Sequence, residues 1–116
     1  MSEPNTESNK YTSKTQTEIE IVIIDHCQKE LRKLIRKDNM VKKRTERQID
    51  ELKQNPYIGQ KLHANFDGCR AIHYYDNKYR IIYKIIEEPY LKIIILSVGH
   101  RRGVYNGLAR FLKAGF

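Results

Sequence analysis

The stretch LKIIILSVGHRRGVYNG, residues 91–107, decides how this chain folds. Its apolar run from Ile93 to Leu96 has no polar face, which is typical of a strand at the centre of a sheet with neighbours on both sides. The strand then ends in a glycine, and His100, Arg101 and Arg102 follow directly. The same stretch therefore predicts both the centre of the fold and a group of chemically useful side chains beside it.

The neighbours of this strand are predicted from the residues before it. Residues 70–75 and 78–86 alternate as strands do, and the Asp76-Asn77 pair between them is typical of a tight hairpin turn. A further β-branched strand covers residues 18–24. With the strand at 91–98 in the centre, these segments predict a four-stranded, mainly antiparallel sheet in the order 1-4-3-2.

Helices are predicted where the apolar spacing changes from strand to helical. One helix starts near Ile24, and a second follows the Asp38-Asn39 turn and ends before Pro56. A short helix at residues 104–113 closes the chain. We therefore expect an α+β fold in which a helical hairpin packs on one face of the sheet, with a short C-terminal helix added.

The chain is strongly basic. It carries 22 Lys and Arg against 14 Asp and Glu, a formal charge of +8, and no acidic residue follows Glu88. Such a charge attracts polyanions, so nucleic acid is the first partner to consider. A basic surface that is merely solvated is the alternative.

Domain organisation and cell compartment follow from composition. Residues 1–17 contain no Val, Ile, Leu or Phe, so we expect a disordered polar tail followed by a single domain at residues 18–116. No apolar stretch approaches the length of a membrane span, and the first residues do not resemble a signal peptide. We expect a cytoplasmic protein without a membrane partner, in which Cys27 and Cys69 are core residues.

Several kinds of chemistry lack their usual motifs. The four histidines have no Cys or His at the spacing that zinc sites use, and the glycines form no phosphate-binding loop. No G-x-S-x-G elbow is present. We therefore expect neither a metal nor a small-molecule cofactor.

Cations and titratable groups remain, and they suit RNA cleavage by attack of a 2′-OH on its own phosphate. Arginine can bridge two phosphate oxygens, which makes Arg80 and Arg101 candidates. Histidine can act as base or acid, so His73 and His100 are candidates as well, and Tyr105 can stack on an unpaired base. Taken singly, each of these residues can equally be an ordinary polar or core side chain.

Further cations are candidates for binding RNA without taking part in the chemistry. They lie on the predicted third strand, after the last strand and on the second helix: Lys84, Arg102, Lys42, Lys43, Arg44 and Arg47. His100, which follows the last strand, is a candidate RNA contact as well. The helical members can also be no more than a solvated helix face.

The order QKLHANFDGCRAIHYYDNKYRIIYKI (residues 60–85) followed by KIIILSVGHRRGVYNG (residues 92–107) resembles the RelE/ParE superfamily of toxins, on its RelE side. The shared features are a K-L pair before a short loop, a strand reading Y-R-x-x-Y, an apolar strand ending in V-G-H-R, and V-Y shortly after. The likeness covers roughly residues 19–113. It implies an α+β toxin of a type II toxin-antitoxin system that cleaves mRNA in the ribosomal A site and is held in check by an antitoxin.

The resemblance also implies roles for individual residues. Arg80 matches an arginine that contacts phosphate, Arg101 one at the scissile phosphate or leaving group, and Tyr105 an aromatic that stacks on mRNA. The chain departs from the family where ribosome-dependent members often place two lysines, since it has Ala71 and His73 there. A histidine can serve as the base instead. The alternative is a non-enzymatic, ParE-like inhibitor of DNA gyrase on the same fold.

Overall fold

A mixed sheet organises residues 19–113, the part of the chain that the computed structural model describes. Its strands are β1 (Glu20–Ile23), β2 (Gln60–Lys61), β3 (Arg70–Tyr74), β4 (Tyr79–Ile86) and β5 (Lys92–His100). They lie in the order β1-β5-β4-β3-β2, with β1 parallel to β5 and the other pairs antiparallel. The expected tail at residues 1–17 lies outside the described residues.

The predicted sheet needs two corrections. The described residues contain five strands where four were expected, because β2 pairs with the outer edge of β3. This strand is only two residues long and both are exposed, so it leaves no alternating pattern in the sequence. The sheet is also mixed, since β1 runs parallel to β5. The succession of the other four strands is the one predicted.

Three helices flank the sheet in the described residues: α1 (Asp25–Lys37), α2 (Asn39–Gln54) and α3 (Val104–Lys113). Asp38 separates α1 from α2, and its side chain accepts a hydrogen bond of 2.8 Å from the backbone N–H of Met40. A side-chain oxygen at this position satisfies one of the free N–H groups of the first turn, which is why α2 begins here. None of these helices is long and apolar enough to cross a membrane.

Apolar cores form on both faces of the sheet. On one face, α1 and α2 pack against Ile81, Tyr83 and Ile95. On the other, α3 packs against Ile82 and Leu96. The apolar run of β5 is therefore covered on both sides, as a central strand requires. Cys27 and Cys69 are free, buried and assigned to separate cores.

A β-bulge changes the alternation of β5 just before the strand ends. Ile82 pairs with Ser97 while Tyr83 pairs with Ile95, so Leu96 is the extra residue. Beyond the bulge, Val98 lies in the core under α1 and α2. Gly99 faces α3 instead, since a Cβ there would lie 3.8 Å from Val104. The bulge thus decides which side of the sheet each of the following residues faces.

The β3–β4 hairpin has an unusual backbone at its tip. Tyr75, Asp76 and Asn77 adopt φ values of 51°, 56° and 63°, which is the left-handed region. Asn and Asp tolerate this region better than other non-glycine residues, whereas a tyrosine there is strained. The turn at the predicted Asp76-Asn77 position therefore contains local strain next to β4.

Candidate active site

His73 and Arg80 lie directly opposite each other on β3 and β4. Side chains of directly opposite residues in an antiparallel pair lie on the same face and within contact range. The next pair on this face is Ala71 and Ile82, both of which belong to the core under α3. The histidine and the arginine are therefore neighbours on the α3 face of the sheet.

The Arg80 side chain is buried at 9 % exposure, although it is charged. Its Nη1 donates hydrogen bonds of 2.9 Å to the carbonyl of Asn77 and 3.2 Å to that of Tyr79. Its Nε is buried without a hydrogen-bond partner among the described residues. A buried N–H without an acceptor is costly, so the surrounding fold holds Arg80 in an unfavourable environment.

The His73 ring is exposed, yet its surroundings favour the neutral form. Partial desolvation lowers the pKa of His73, and the positive charge of Arg80 lowers it further. A hydrogen bond with the side chain of Asn77 opposes both effects. A neutral imidazole can accept a proton, so His73 is a candidate base beside a buried guanidinium.

Tyr105 lies on the same side of the sheet as this pair, and Arg101 lies in the turn that follows β5. The backbone N–H of Arg101 donates a 2.7 Å hydrogen bond to the carbonyl of Lys78, which extends the β4–β5 ladder past His100. The Arg101 side chain is exposed. The half-buried Tyr105 packs against the α3-side core. Three of the four predicted catalytic residues, His73, Arg80 and Tyr105, thus lie on one side of the sheet.

His100 lies on the opposite side, although its sequence position suggested an RNA contact. Its ring meets that of Tyr79 edge to face, at a centroid distance of 5.5 Å and an angle of 82°. Its Nδ1 accepts a 3.2 Å hydrogen bond from the backbone N–H of Arg102. The side chain of Arg102 is exposed. The structure therefore separates His100 from Arg80 by the thickness of the sheet.

The other predicted RNA-binding cations divide between the two sides. Lys84 shares the alternating face of Arg80 on β4 and lies near Cys69, whose pKa its charge lowers against the stronger effect of burial. The cations of α2 are exposed on the helical layer: Lys42, Lys43, Arg44 and Arg47. The guanidinium of Arg44 lies 5.2 Å from the centre of the Tyr75 ring. Two basic surfaces result, one on each side of the sheet.

Two further residues belong to the site but were not predicted from the sequence. Asn77 was expected only as a turn residue, but its carbonyl and side chain contact Arg80 and His73, respectively. Phe66 packs its ring against Tyr105 at a centroid distance of 5.7 Å. Only the hairpin turn itself gave a signal for Asn77.

No three His, Cys, Asp or Glu side chains within residues 19–113 are grouped so as to hold a metal ion.

Comparison with known proteins identifies the family. A model of the ParE toxin of type II toxin-antitoxin systems, parDE, matches residues 15–105. Comparison with curated protein sequences finds no match. Among solved structures, an arginine double mutant of the E. coli toxin RelE in the free state has 20% identity and a TM-score of 0.65, covering 86% of this chain and 100% of that chain.

Two other solved structures have the same fold. The RelBE2 toxin-antitoxin complex from Mycobacterium tuberculosis has 22% identity and a TM-score of 0.61, covering 73% of this chain and 100% of that one. The isolated E. coli RelE toxin has 26% identity and a TM-score of 0.56, covering 81% and 98%. The superfamily predicted from the sequence is confirmed. The chain belongs to the ParE toxin family, within the RelE/ParE superfamily of type II toxin-antitoxin toxins.

Proposed function

We propose that this toxin is a cytoplasmic endoribonuclease that cleaves mRNA in the A site of the ribosome. The 2′-OH of one nucleotide attacks the phosphate that follows it, so the 5′-oxygen of the next nucleotide leaves. His73 takes the proton of the 2′-OH, and Arg80 donates hydrogen bonds to the phosphate oxygens as their charge grows. Arg101 stabilises the phosphate or the leaving oxygen, and Tyr105 stacks on a base.

The observation that carries this proposal is the pairing of His73 with Arg80. The two side chains are cross-strand neighbours, and the charge of the arginine helps to keep the imidazole neutral. The burial of the Arg80 cation gives a second reason, because a charge held in a partly desolvated place interacts more strongly with a phosphate than one in water. A surface that only binds protein has no use for this combination of a base and a buried cation.

The ribosome enters the proposal because the chain has few groups that could align a flexible RNA strand. Correct positioning of reacting groups is worth roughly 7 to 11 kcal/mol, and a ribosome that holds its message supplies it. The exposed cations of α2 lie on the layer opposite the candidate site, so they are free to dock on ribosomal RNA. Reversing the charge of Lys42, Lys43 and Arg47 together should weaken ribosome binding and flatten its salt dependence.

A protein antitoxin is the second proposed partner. Type II toxins are paired with protein antitoxins, and the similar structure from M. tuberculosis is itself a toxin-antitoxin complex. The net charge of +8 predicts that the surface it binds through is complemented by acidic residues.

The test is a comparison of messages with and without ribosomes. Purified toxin is added to a 5′-labelled message, either naked or bound in the A site of programmed ribosomes, and the cleaved ends are mapped. We expect cleavage on ribosomes to be faster by several orders of magnitude. Equal rates on naked RNA at low toxin concentration would instead indicate a free-standing ribonuclease.

The alternative is a non-enzymatic inhibitor of DNA gyrase, and the matching family model favours it because that model describes ParE toxins. The two functions are separated by one further measurement on the same preparation. A gyrase inhibitor blocks supercoiling of plasmid DNA and leaves messages intact. A ribosome-dependent nuclease does the reverse, and Arg80→Ala should abolish its effect on growth.

A further inference from the structure

Phe66 is held in place by the loop that joins β2 to β3. Its backbone N–H donates a hydrogen bond of 3.1 Å to the carbonyl of His63, and its own carbonyl accepts one of 3.0 Å from the N–H of Cys69. Ala64, in the short 3₁₀ turn that ends at Phe66, adopts a φ of 56°, which is unfavourable for any residue with a Cβ. Backbone strain of this kind persists only where surrounding contacts require it, so the hydrogen bonds of the loop fix where the Phe66 side chain lies.

The ring of Tyr105 is oriented by packing against that of Phe66. The two ring centres are 5.7 Å apart and the ring planes are inclined by 52°, a tilted arrangement that aromatic pairs favour. Among the described residues, no group forms a hydrogen bond with the Tyr105 hydroxyl. The hydroxyl of the buried Tyr74, in contrast, is held by that of Thr45 at 2.8 Å. The orientation of Tyr105 therefore depends on packing, and Phe66 is the aromatic partner in that packing.

A cavity of about 290 Å³ lies beside Phe66. It is lined by Asn65 and Phe66 of the loop and by Ala109, Leu112 and Lys113 of α3. Tyr105 does not line this cavity, although Tyr105, Ala109 and Leu112 recur at the spacing that places side chains along one face of a helix. Because Phe66 both lines the cavity and contacts Tyr105, a shorter side chain at this position would join the cavity to the space beside the tyrosine. The Tyr105 ring would then have room to turn.

We propose that Phe66 is a positioning residue, whose ring holds Tyr105 in the orientation in which it stacks on a base of the RNA. This inference rests on the proposed RNA cleavage, to which it adds a residue that acts through Tyr105 and does not touch the RNA. A stacked base helps to keep the reacting phosphate aligned, so a turned Tyr105 ring slows cleavage although every catalytic group is still present. Loss of one base–aromatic stack weakens binding roughly five- to a hundredfold, which is the largest effect that Phe66 can have through this contact.

The proposal is tested with a double-mutant cycle on ribosome-bound message. Phe66→Leu keeps an apolar side chain but removes the ring, and it should lower kcat/KM about tenfold. Phe66→Tyr keeps the ring and should stay close to the wild type. In a Tyr105→Leu background, Phe66→Leu should have no further effect, because the residue through which it acts is gone. Leu62→Ala is the control, since Leu62 packs against the same core and should change the rate by the same factor in both backgrounds.

A binding measurement tests the same contact without cleavage. The chain contains no tryptophan, so Tyr105→Trp introduces a single indole at the stacking position. A short RNA that carries 2′-O-methyl groups, and so resists cleavage, should quench the fluorescence of this indole. Adding Phe66→Leu should weaken the quenching at least about fivefold, and adding Leu62→Ala should leave it nearly unchanged.

The outcomes separate a positioning role from a structural one. An equal loss of rate from Phe66→Leu in both backgrounds would overturn the inference, and so would a loss that only follows a lower urea midpoint. Cleavage without any quenching of the indole in Tyr105→Trp shows that this position does not stack, and the inference is then wrong. If the quenching depends on Phe66 but no ribosome-bound message is cut by the wild type, the proposed function fails while the positioning of Tyr105 by Phe66 remains.

Discussion

Replacing Arg80 by methionine should remove most of the proposed cleavage activity without unfolding the protein. The change deletes a buried guanidinium and keeps a side chain of similar length. In the folded state Arg80 contributes two hydrogen bonds through Nη1, to the carbonyls of Asn77 and Tyr79. It also carries an Nε that has no partner in the described part of the chain.

For the stability of the fold, the two free-energy changes caused by Arg80→Met have opposite signs and largely cancel. For catalysis, the substitution only removes stabilisation of the transition state. Two hydrogen bonds contribute about 1 kcal/mol each, and an unsatisfied buried N–H costs about 1 to 3 kcal/mol. The free energy of unfolding should therefore change by no more than about 1 kcal/mol. Loss of a donor to the transition state costs about 3 kcal/mol, which lowers the rate at least about a hundredfold.

A second consequence concerns His73, because the charge of Arg80 contributes to its lowered pKa. Without that charge the pKa of His73 rises toward its ordinary value. If the neutral imidazole is the base, as proposed, the rate falls as the pH drops through this pKa. The acidic limb of the residual pH–rate profile should therefore move to higher pH in Arg80→Met, which a merely structural role would not produce.

The assay combines urea unfolding with single-turnover cleavage of ribosome-bound message across a range of pH. Lys84→Met is the matched control, because Lys84 is a cation on the same strand and the same alternating face. It should change the rate only a few-fold, as expected for a partly exposed charge. Wild-type cleavage by folded Arg80→Met, or a loss of activity that only follows a loss of folded protein, would refute the reasoning.

Three further outcomes are expected. His73→Ala should slow cleavage strongly, and the wild-type rate should stay level from pH 8 to about 6.5 and fall only below it, because the pKa of His73 lies below its ordinary value; a profile that stays level down to pH 4.5 would exclude it as the base. Arg101→Ala should lower cleavage about a hundredfold and leave the urea midpoint unchanged, since the side chain is exposed. Tyr83→Phe should lower the free energy of unfolding by about 2 kcal/mol, because the buried hydroxyl donates to Pro56 and accepts from Gly59; an unchanged unfolding curve would contradict this.

The centre of the fold was predictable because burial on both faces leaves a direct mark on the sequence. The apolar run from Ile93 to Leu96 indicates a strand covered on both sides, and β5 is that strand. The pairing of His73 with Arg80 follows from the hairpin turn, since both residues lie three positions from the Asp76-Asn77 pair. The spacing of apolar residues and the position of a turn depend on neighbouring residues only, so both can be predicted from the sequence.

The features that were not predictable depend on contacts between distant segments. Strict alternation along β5 would put Leu96, Val98 and His100 on one face with Arg80. The bulge at Leu96 reverses this, yet Leu-Ser-Val fits a regular strand as well as a bulged one. The β2 strand exists only because two exposed residues meet the edge of β3. Neither feature has a period or composition that marks it in advance.

The parallel pairing of β1 with β5 determines when the molecule can first assemble during its own synthesis. Ile21 pairs with Ile93, so more than half of the chain separates the two partners. Ribosomes make β1 early, but the strand that binds it comes last of the five described and also completes both cores. Long-range pairing of this kind closes late. A nascent chain that has not yet reached β5 therefore lacks the strand that pairs with β1 and contributes to both cores, so this sheet can assemble only after β5 has been made.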